Sequence, residues 1–503
     1  MRSKKAIYNI VCNLLLQFVI VVYGFVVPKI IIDYFGSEVN GLIASITQFL
    51  AYITLLESGF GPVVRATLYK PIAKKDEIAI AGIIRTSEKF FRRIALIFLL
   101  YIVVLCFVFP LITRTDFDAA FTVSLVVIIG ISTFAEYFFG MAYRLFLQAE
   151  QKTYVISIIQ TITYLLSIVA VVVLAVMGAD ILIIKLISGL IFVLRPLMQN
   201  FYVKKKYKIK LDGASEKYPI KQKWDGLAQH IAAVIHGNTD VTVLTLFTSL
   251  AEVSVYAVYY LVVSGVKKIV QAFTVGIDAS FGDMIAKKED ENLRRKFSAY
   301  ELLYIMVITV IFACTFVLIT PFIVVYTEGV TDADYIRPLF GYLLVASEFI
   351  WAIRAPYASI TLAAGHFRET RRGAWIEAII NIVVSIALVW KFGLVGVTIG
   401  TIVAMLVRAI EFIYHANKYV LKRNIFASAG KIVTSVVAVI ITAGIVNLIN
   451  LAEPTGYMAW IKNAVIVLTI AGVITLVCFG AVYYKDLIAV PKKMKTILRK
   501  KKK

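Results

Sequence analysis

Residues 92–113 read RRIALIFLLYIVVLCFVFPLIT: two arginines, then nineteen residues without a charge, then a threonine. As an α-helix the uncharged run rises about 28 Å, close to the hydrocarbon thickness of a bilayer. Neither a half-buried strand nor an amphipathic helix fits, because no face of the run is left for water. It reads as a membrane span with its basic end at an interface.

Working outward, apolar windows of this kind recur at 7–32, 39–68, 119–149, 153–177, 181–202, 226–249, 252–285, 299–326, 335–363, 373–391, 394–418, 428–450 and 458–484. The expected fold class is therefore all-α, a polytopic membrane protein of about fourteen transmembrane helices. Composition agrees: of 503 residues, 60% are hydrophobic and only 17% charged, whereas soluble domains run nearer a quarter charged. Met1 to Lys5 followed by the first apolar run has the charge pattern of a signal sequence, but the run is too long and lacks a small-residue cleavage site. It is expected to be an uncleaved first span.

The net charge of +22 sits between the apolar runs, so it reports orientation and not nucleic acid. Alternate gaps, 1–5, 65–93, 144–152, 204–223, 287–296, 368–372, 418–423 and 485–503, hold 41 Lys and Arg; the opposite gaps hold Arg114, Arg337, Lys391 and Lys462. This asymmetry predicts an even number of spans in the cell membrane with both termini cytoplasmic. Residues 204–224, with eight lysines, read as a cytoplasmic linker. The expected division is an N-lobe over 1–203, the linker, a C-lobe over 225–423, and two further spans with a basic tail over 424–503.

An internal repeat supports two lobes. Ala73-Lys74-Lys75-Asp76 matches Ala286-Lys287-Lys288-Glu289, Glu38-Val39 matches Glu252-Val253, Glu136 pairs with Glu348 and Arg195 with Arg408, all at offsets of 212 to 214. Six spans separate the copies, so both run the same way through the membrane. Two six-helix lobes related by a pseudo-two-fold along the membrane normal, plus two C-terminal helices, are expected.

Ionisable side chains at depth cost free energy and face a cavity or a partner. Glu57 and Arg65 lie eight residues apart, as do Glu136 and Arg144, which places each pair on adjoining stripes of one helix. Lys267, Glu348, Arg354 and Glu377 are the other deep charges, and Asp240 stands among His230, His236 and Asn238. An unpaired carboxylate there would be protonated or ion-bound. Arg408 and Glu411, three apart, are expected to pair. Snorkelling of Arg65 and Arg144 to the interface, and hydrogen bonding between helices for Asp240, are the plainer accounts.

Cys12, Cys106, Cys314 and Cys478 sit in apolar runs without metal or disulfide spacing, and no metal or organic cofactor is expected. No Walker A, HExxH or GxSxG sequence occurs, and no large loop offers a catalytic domain, so the chain is not expected to be an enzyme.

Four short segments resemble the polysaccharide transport family of flippases, the O-antigen, capsule and teichoic-type exporters of the wider multidrug/oligosaccharidyl-lipid/polysaccharide superfamily. They are Asn40-Gly41-Leu42, Glu57-Ser58-Gly59-Phe60-Gly61 with Arg65, Leu147-Gln148-Ala149-Glu150-Gln151-Lys152 and Asn238-Thr239-Asp240. The resemblance implies two lobes around a cationic central cavity, working by alternating access on an undecaprenyl-pyrophosphate-linked oligosaccharide. Arg65, Arg144, Lys267 and Arg354 are then the substrate-binding cations, since a pyrophosphate needs basic partners. Glu57, Glu136, Asp240, Glu348 and Glu377 are candidates for coupling to H+ or Na+. The partners implied are the lipid-linked oligosaccharide, membrane lipid and proteins of polysaccharide assembly. Two alternatives stand beside this reading: a cation-coupled multidrug exporter of the same fold, and a membrane-embedded glycan polymerase or ligase.

Overall fold

The computed structural model describes residues 2–57, 59–113, 117–207, 227–274 and 277–500. It is 88% helical, with no strand among the described residues. The helices in chain order are α1 (Arg2–Phe35), α2 (Ser37–Ala51), α3 (Thr54–Glu57), α4 (Phe60–Lys74), α5 (Glu77–Ile112), α6 (Ala119–Ala135), α7 (Met141–Ala149), α8 (Thr153–Val176) and α9 (Ile181–Tyr207). There follow α10 (Leu227–Phe247), α11 (Leu250–Ala272), α12 (Ile277–Ala286), α13 (Asp290–Tyr326), α14 (Pro338–Ala363), α15 (Arg371–His415), α16 (Phe426–Ile449) and α17 (Tyr457–Lys500). Two π-helical turns, Glu136–Gly140 and Ala416–Val420, follow α6 and α15.

Among the described residues, twelve stretches are long and apolar enough to cross a membrane. One of them, Arg371–Val420, turns back at Gly393 and so carries two of the spans read from the sequence. The helix α10 is not among the twelve; its His230, His236, Asn238 and Asp240 dilute the apolar run. The reading of about fourteen helices and the polytopic all-α class are thereby reconciled. Outward faces are apolar, as lipid requires: on α1, Ile7, Ile10, Leu14 and Phe18 are exposed while Leu16, Val19, Val27 and Ile31 are buried.

Two windows that look continuous in sequence are broken in structure. Residues 39–68 divide into α2, the short α3 and α4. Gly59 takes φ 78°, and Pro62, which has no N–H to offer, fits the first turn of α4. Residues 252–285 divide likewise into α11 and α12. Hydropathy misses both breaks because Gly and Pro do not make a window polar.

The turns after these broken spans are alike. Lys75 (φ 57°) and Lys288 (φ 56°) are both left-handed. Their N–H groups donate to Ile72 and Ile285 carbonyls, and the next residues, Asp76 and Glu289, donate back to Pro71 and Met284, closing the helix end in Schellman fashion. Gln151 and Gly365, then Gly178 and Gly393, continue the left-handed positions, so the repeat offset of 213 to 215 residues is written into the backbone. Each Lys turn launches a very long helix, α5 of 36 residues and α13 of 37.

By packing, the chain forms two compact units, one of Met1–Ala257 with Val330–Ala333 and the other of Val258–Gly329 with Asp334–Lys503. The first is built on Leu42, Ile46, Phe60, Phe91, Phe98, Phe109, Tyr137 and Phe146. A second cluster, of Val27, Ile31, Val39, Val171 and Ile181, joins α1, α2, α8 and α9. In the second unit Phe281, Phe297, Tyr357 and Phe412 form one cluster, and Leu318, Val446 and Val467 bind α16 and α17 to α13. Most of the 204–224 linker lies outside the described residues.

Candidate functional site

The first unit gathers its deep charges around the π-helical turn at Glu136. Such turns add a residue to a helix and are common at functional positions. A side chain at Gly140 would strike Pro196 of α9, so the glycine admits α9 against the turn. Arg144 Nη1 donates to Glu136 Oε1 at 3.1 Å, so the spacing of eight residues does bring that pair together. Glu57 instead accepts from the Tyr137 hydroxyl at 2.9 Å, with Arg144, Glu136 and His230 within electrostatic reach. Arg65, half-buried on α4, forms no ion pair with a described residue.

A polar seam joins α2 to α10 and the start of α11. Asn40 Nδ2 donates to Ser254 Oγ at 2.8 Å, Ser45 and Thr245 hydroxyls meet at 2.7 Å, and Tyr52 and Thr242 hydroxyls at 2.9 Å. Gln48 bonds Asn238 and the Gly237 carbonyl. At the head of α2, the Ser37 N–H and hydroxyl both donate to the Asp332 carboxylate, at 2.6 and 2.7 Å. Asp240, buried beside this seam, accepts from Tyr256 at 2.9 Å. Side-chain pairs of this kind hold helices together where lipid supplies no hydrophobic drive between them.

In the second unit the sequence-selected cations are each held by a sequence-selected carboxylate. Lys267 Nζ on α11 lies 2.9 Å from Glu348 Oε2 and 4.5 Å from the centre of the Trp351 ring. Arg354 Nη1 donates to Glu377 Oε1 at 2.6 Å. Arg408 Nε reaches the other oxygen of Glu377 at 3.4 Å and also bonds Glu411, as its spacing predicts, and the Thr370 carbonyl. Glu377 is thus shared by two guanidinium groups from α14 and α15.

Several partners escaped sequence reasoning. Tyr137 and Trp351 are ordinary aromatics until a charge is seen beside them. Arg195 is caged by Phe192 and Tyr164, at 3.9 and 4.1 Å from the ring centres, and donates to Thr163. A further network centres on Glu301 of α13, which has no exposure. It accepts from Arg423 at 2.7 Å, Lys431 at 2.5 Å, Ser428 at 2.6 Å and Tyr357 at 2.7 Å. A lone Glu and a lone Lys at the rims of the apolar windows 299–326 and 428–450 were the available signal. The side chain of His236 lies outside the described residues, and no cluster of three metal-ligating side chains occurs among those described.

No protein-family model matches the chain, and no curated protein matches it in sequence. Solved structures do match in fold. The lipid II flippase MurJ, in an inward closed conformation, is 15% identical with a TM-score of 0.68, over 96% of this chain and all of MurJ. An inward-facing multidrug resistance MATE transporter of the MOP superfamily is 12% identical with a TM-score of 0.59, over 79% of this chain and 95% of its own. The MATE transporter VcmN of Vibrio cholerae is 17% identical with a TM-score of 0.57, over 84% of this chain and 99% of its own. This chain shares the all-α polytopic fold of these transporters.

Proposed function

We propose that this protein is a flippase of the cell membrane, carrying a polyprenyl-pyrophosphate-linked oligosaccharide from the cytoplasmic to the outer leaflet by alternating access, for assembly of a surface polysaccharide. The observation that carries the reading is the set of basic side chains on broken or membrane-crossing helices in both units: Arg65 and Arg144 in the first, Lys267 and Arg354 in the second. Cations at such positions suit a phosphorylated headgroup in a watery cleft, with the polyprenyl chain left in lipid. The fold shared with a lipid II flippase supports this class of cargo. In this reading both termini are cytoplasmic and the chain transports without being an enzyme.

A second reading, an ion-coupled exporter of small molecules, is favoured by one specific observation. Arg144, Lys267 and Arg354 are each countered by a carboxylate, so the interior carries acids as well as bases. The test separates the two. Arg65, Arg144, Lys267 and Arg354 are replaced singly by Gln at matched protein level, and surface polysaccharide, the lipid-linked intermediate and drug resistance are measured. Lost polymer with accumulated intermediate supports the flippase. Normal polymer in all four variants refutes it, and altered drug resistance in those cells would then support the exporter.

A further inference from the structure

Three ion pairs involve the selected cations, and they differ in how firmly the carboxylate is held. Glu136 and Arg144 keep 22% and 34% of their side-chain surfaces exposed, so water compensates both. Glu377 is gripped by two guanidinium groups. Glu348 is different. It is 4% exposed, its one cationic partner among the described residues is Lys267, and Oε1 accepts a hydrogen bond from that ammonium at 3.2 Å. Oε2 lies 2.9 Å from the same ammonium, so one cation serves both oxygens. Drawing that cation to another anion would leave a buried carboxylate unpaired, which is costly, and a proton on it removes the charge that makes it so.

The surroundings prepare Lys267 to be left alone. Its ammonium lies over Trp351, one turn along α14 from Glu348, where the ring face holds a cation without neutralising it. Several ionisable groups on the elements packed against α14 are engaged with partners of their own. On α13, Glu301 is bound to Arg423 and Lys431, and the Tyr304 hydroxyl donates to the Ala352 carbonyl. On α15, Glu377, Arg408 and Glu411 bind one another and Arg354. On α12, Asp283 pairs with Lys287. The neighbouring Lys268 on α11 is exposed.

We infer that Glu348 and an anionic substrate group compete for Lys267, with Glu348 taking up a proton when the anion binds and giving it back when the anion leaves. The empty site is neutral as a Lys267–Glu348 pair. In the loaded site a proton sits on the Glu348 carboxylate and Lys267 faces the oxyanion, so the local charge is again balanced. The proton is the counter-charge of the cargo and not its driving force; it lets helices close around an anion without burying net charge. Trp351 is a positioning residue that keeps the released ammonium aimed into the site.

This inference rests on the anionic-substrate reading above, and its test separates the two. Full-length protein in detergent is titrated with geranylgeranyl pyrophosphate by calorimetry, in buffers of different ionisation enthalpy. Native protein should take up about one proton per probe more than Glu348→Gln, with affinity falling about tenfold per pH unit where uptake occurs. Glu348→Gln should bind without that uptake and without that pH dependence, and Lys267→Met should bind weakly at every pH. Proton uptake and pH dependence unchanged in Glu348→Gln overturn the inference. If native protein binds no probe at any pH, the lipid-pyrophosphate substrate is refuted, and infrared spectroscopy still decides the exchange. On acidification the native protein should show a carboxylic-acid component that the Glu348→Gln spectrum lacks by difference and that persists to higher pH in Lys267→Met. Native and Glu348→Gln spectra with no such difference would overturn the exchange.

Discussion

Removing the carboxylate of Glu301 should cost more stability than removing any other single charge in the second unit. In Glu301→Gln the amide keeps the shape but not the charge, leaving Lys431, only 7% exposed in its side chain, and Arg423, at 11%, without their anion. Breaking a buried pair in this way costs about 3–5 kcal/mol. The surrounding unit has about 240 residues, for which each kcal/mol moves the melting midpoint by roughly 2–4 °C, so a drop of roughly 6–20 °C is expected. Lys431→Met should cost less, because Arg423 still holds Glu301 along with Ser428 and Tyr357. The double variant Glu301→Gln/Lys431→Met should be more stable than the sum of the singles predicts, since it buries no unpaired charge except Arg423, which retains Asn417 and Ser298. The assay is thermal unfolding of detergent-purified protein followed by size-exclusion chromatography. A midpoint within about 1 °C of native for Glu301→Gln, or strict additivity in the double variant, would refute the reasoning.

A Ser45→Cys/Thr245→Cys pair should form a disulfide on mild oxidation, because the two hydroxyls lie 2.7 Å apart; free thiols after oxidation would count against the seam. Gly41→Val should lower the melting midpoint, because even a Cβ at this position would overlap the Leu250 carbonyl, at a cost of about 1–3 kcal/mol; a native midpoint would show that α2 can move aside. For topology, a cysteine at Glu453 should react with a membrane-impermeant maleimide added outside intact cells and one at Lys288 should not. The reverse pattern would invert the orientation drawn from the basic gaps.

The membrane-crossing helices were legible because nineteen uncharged residues after Arg93 leave little else for the chain to become. Where those helices break was not, since Gly59 and Gly61 add no polarity to an apolar window. The same contrast holds at the site. A carboxylate or ammonium in an apolar run announces itself, so Glu348, Lys267, Arg354 and Glu377 could all be picked out. Their pairing depends on which helices pack together: Lys267 and Glu348 are 81 residues apart, Arg354 and Glu377 only 23. Within one helix, where spacing does fix geometry, Glu136 with Arg144 and Arg408 with Glu411 were readable. Glu301 and Lys431 fell at the margins of their windows, where a charge looks like an interfacial residue until burial reveals otherwise.

Gly393 makes α15 a tuning fork. Its φ of 52° and ψ of −127° reverse the chain with no intervening loop, and the contacts down the two arms pair residues nearly equidistant from this apex. Gly396 packs on Leu388, Gly400 on Ser385, Asn381 bonds Thr401, and Gly373 makes room for Glu411. Glu377 stands 16 residues before the apex and Arg408 15 after it, each about 23–24 Å along its arm. Their meeting is thus set by arm length as much as by charge. Deleting one residue from either arm would swing its side chains by about 100° and leave two intact helices whose ionisable groups no longer face each other. The tines can tilt together as one body, but they cannot slide past one another. Any rearrangement that reaches Arg354 must therefore carry the whole fork with it or pull Glu377 away from α14.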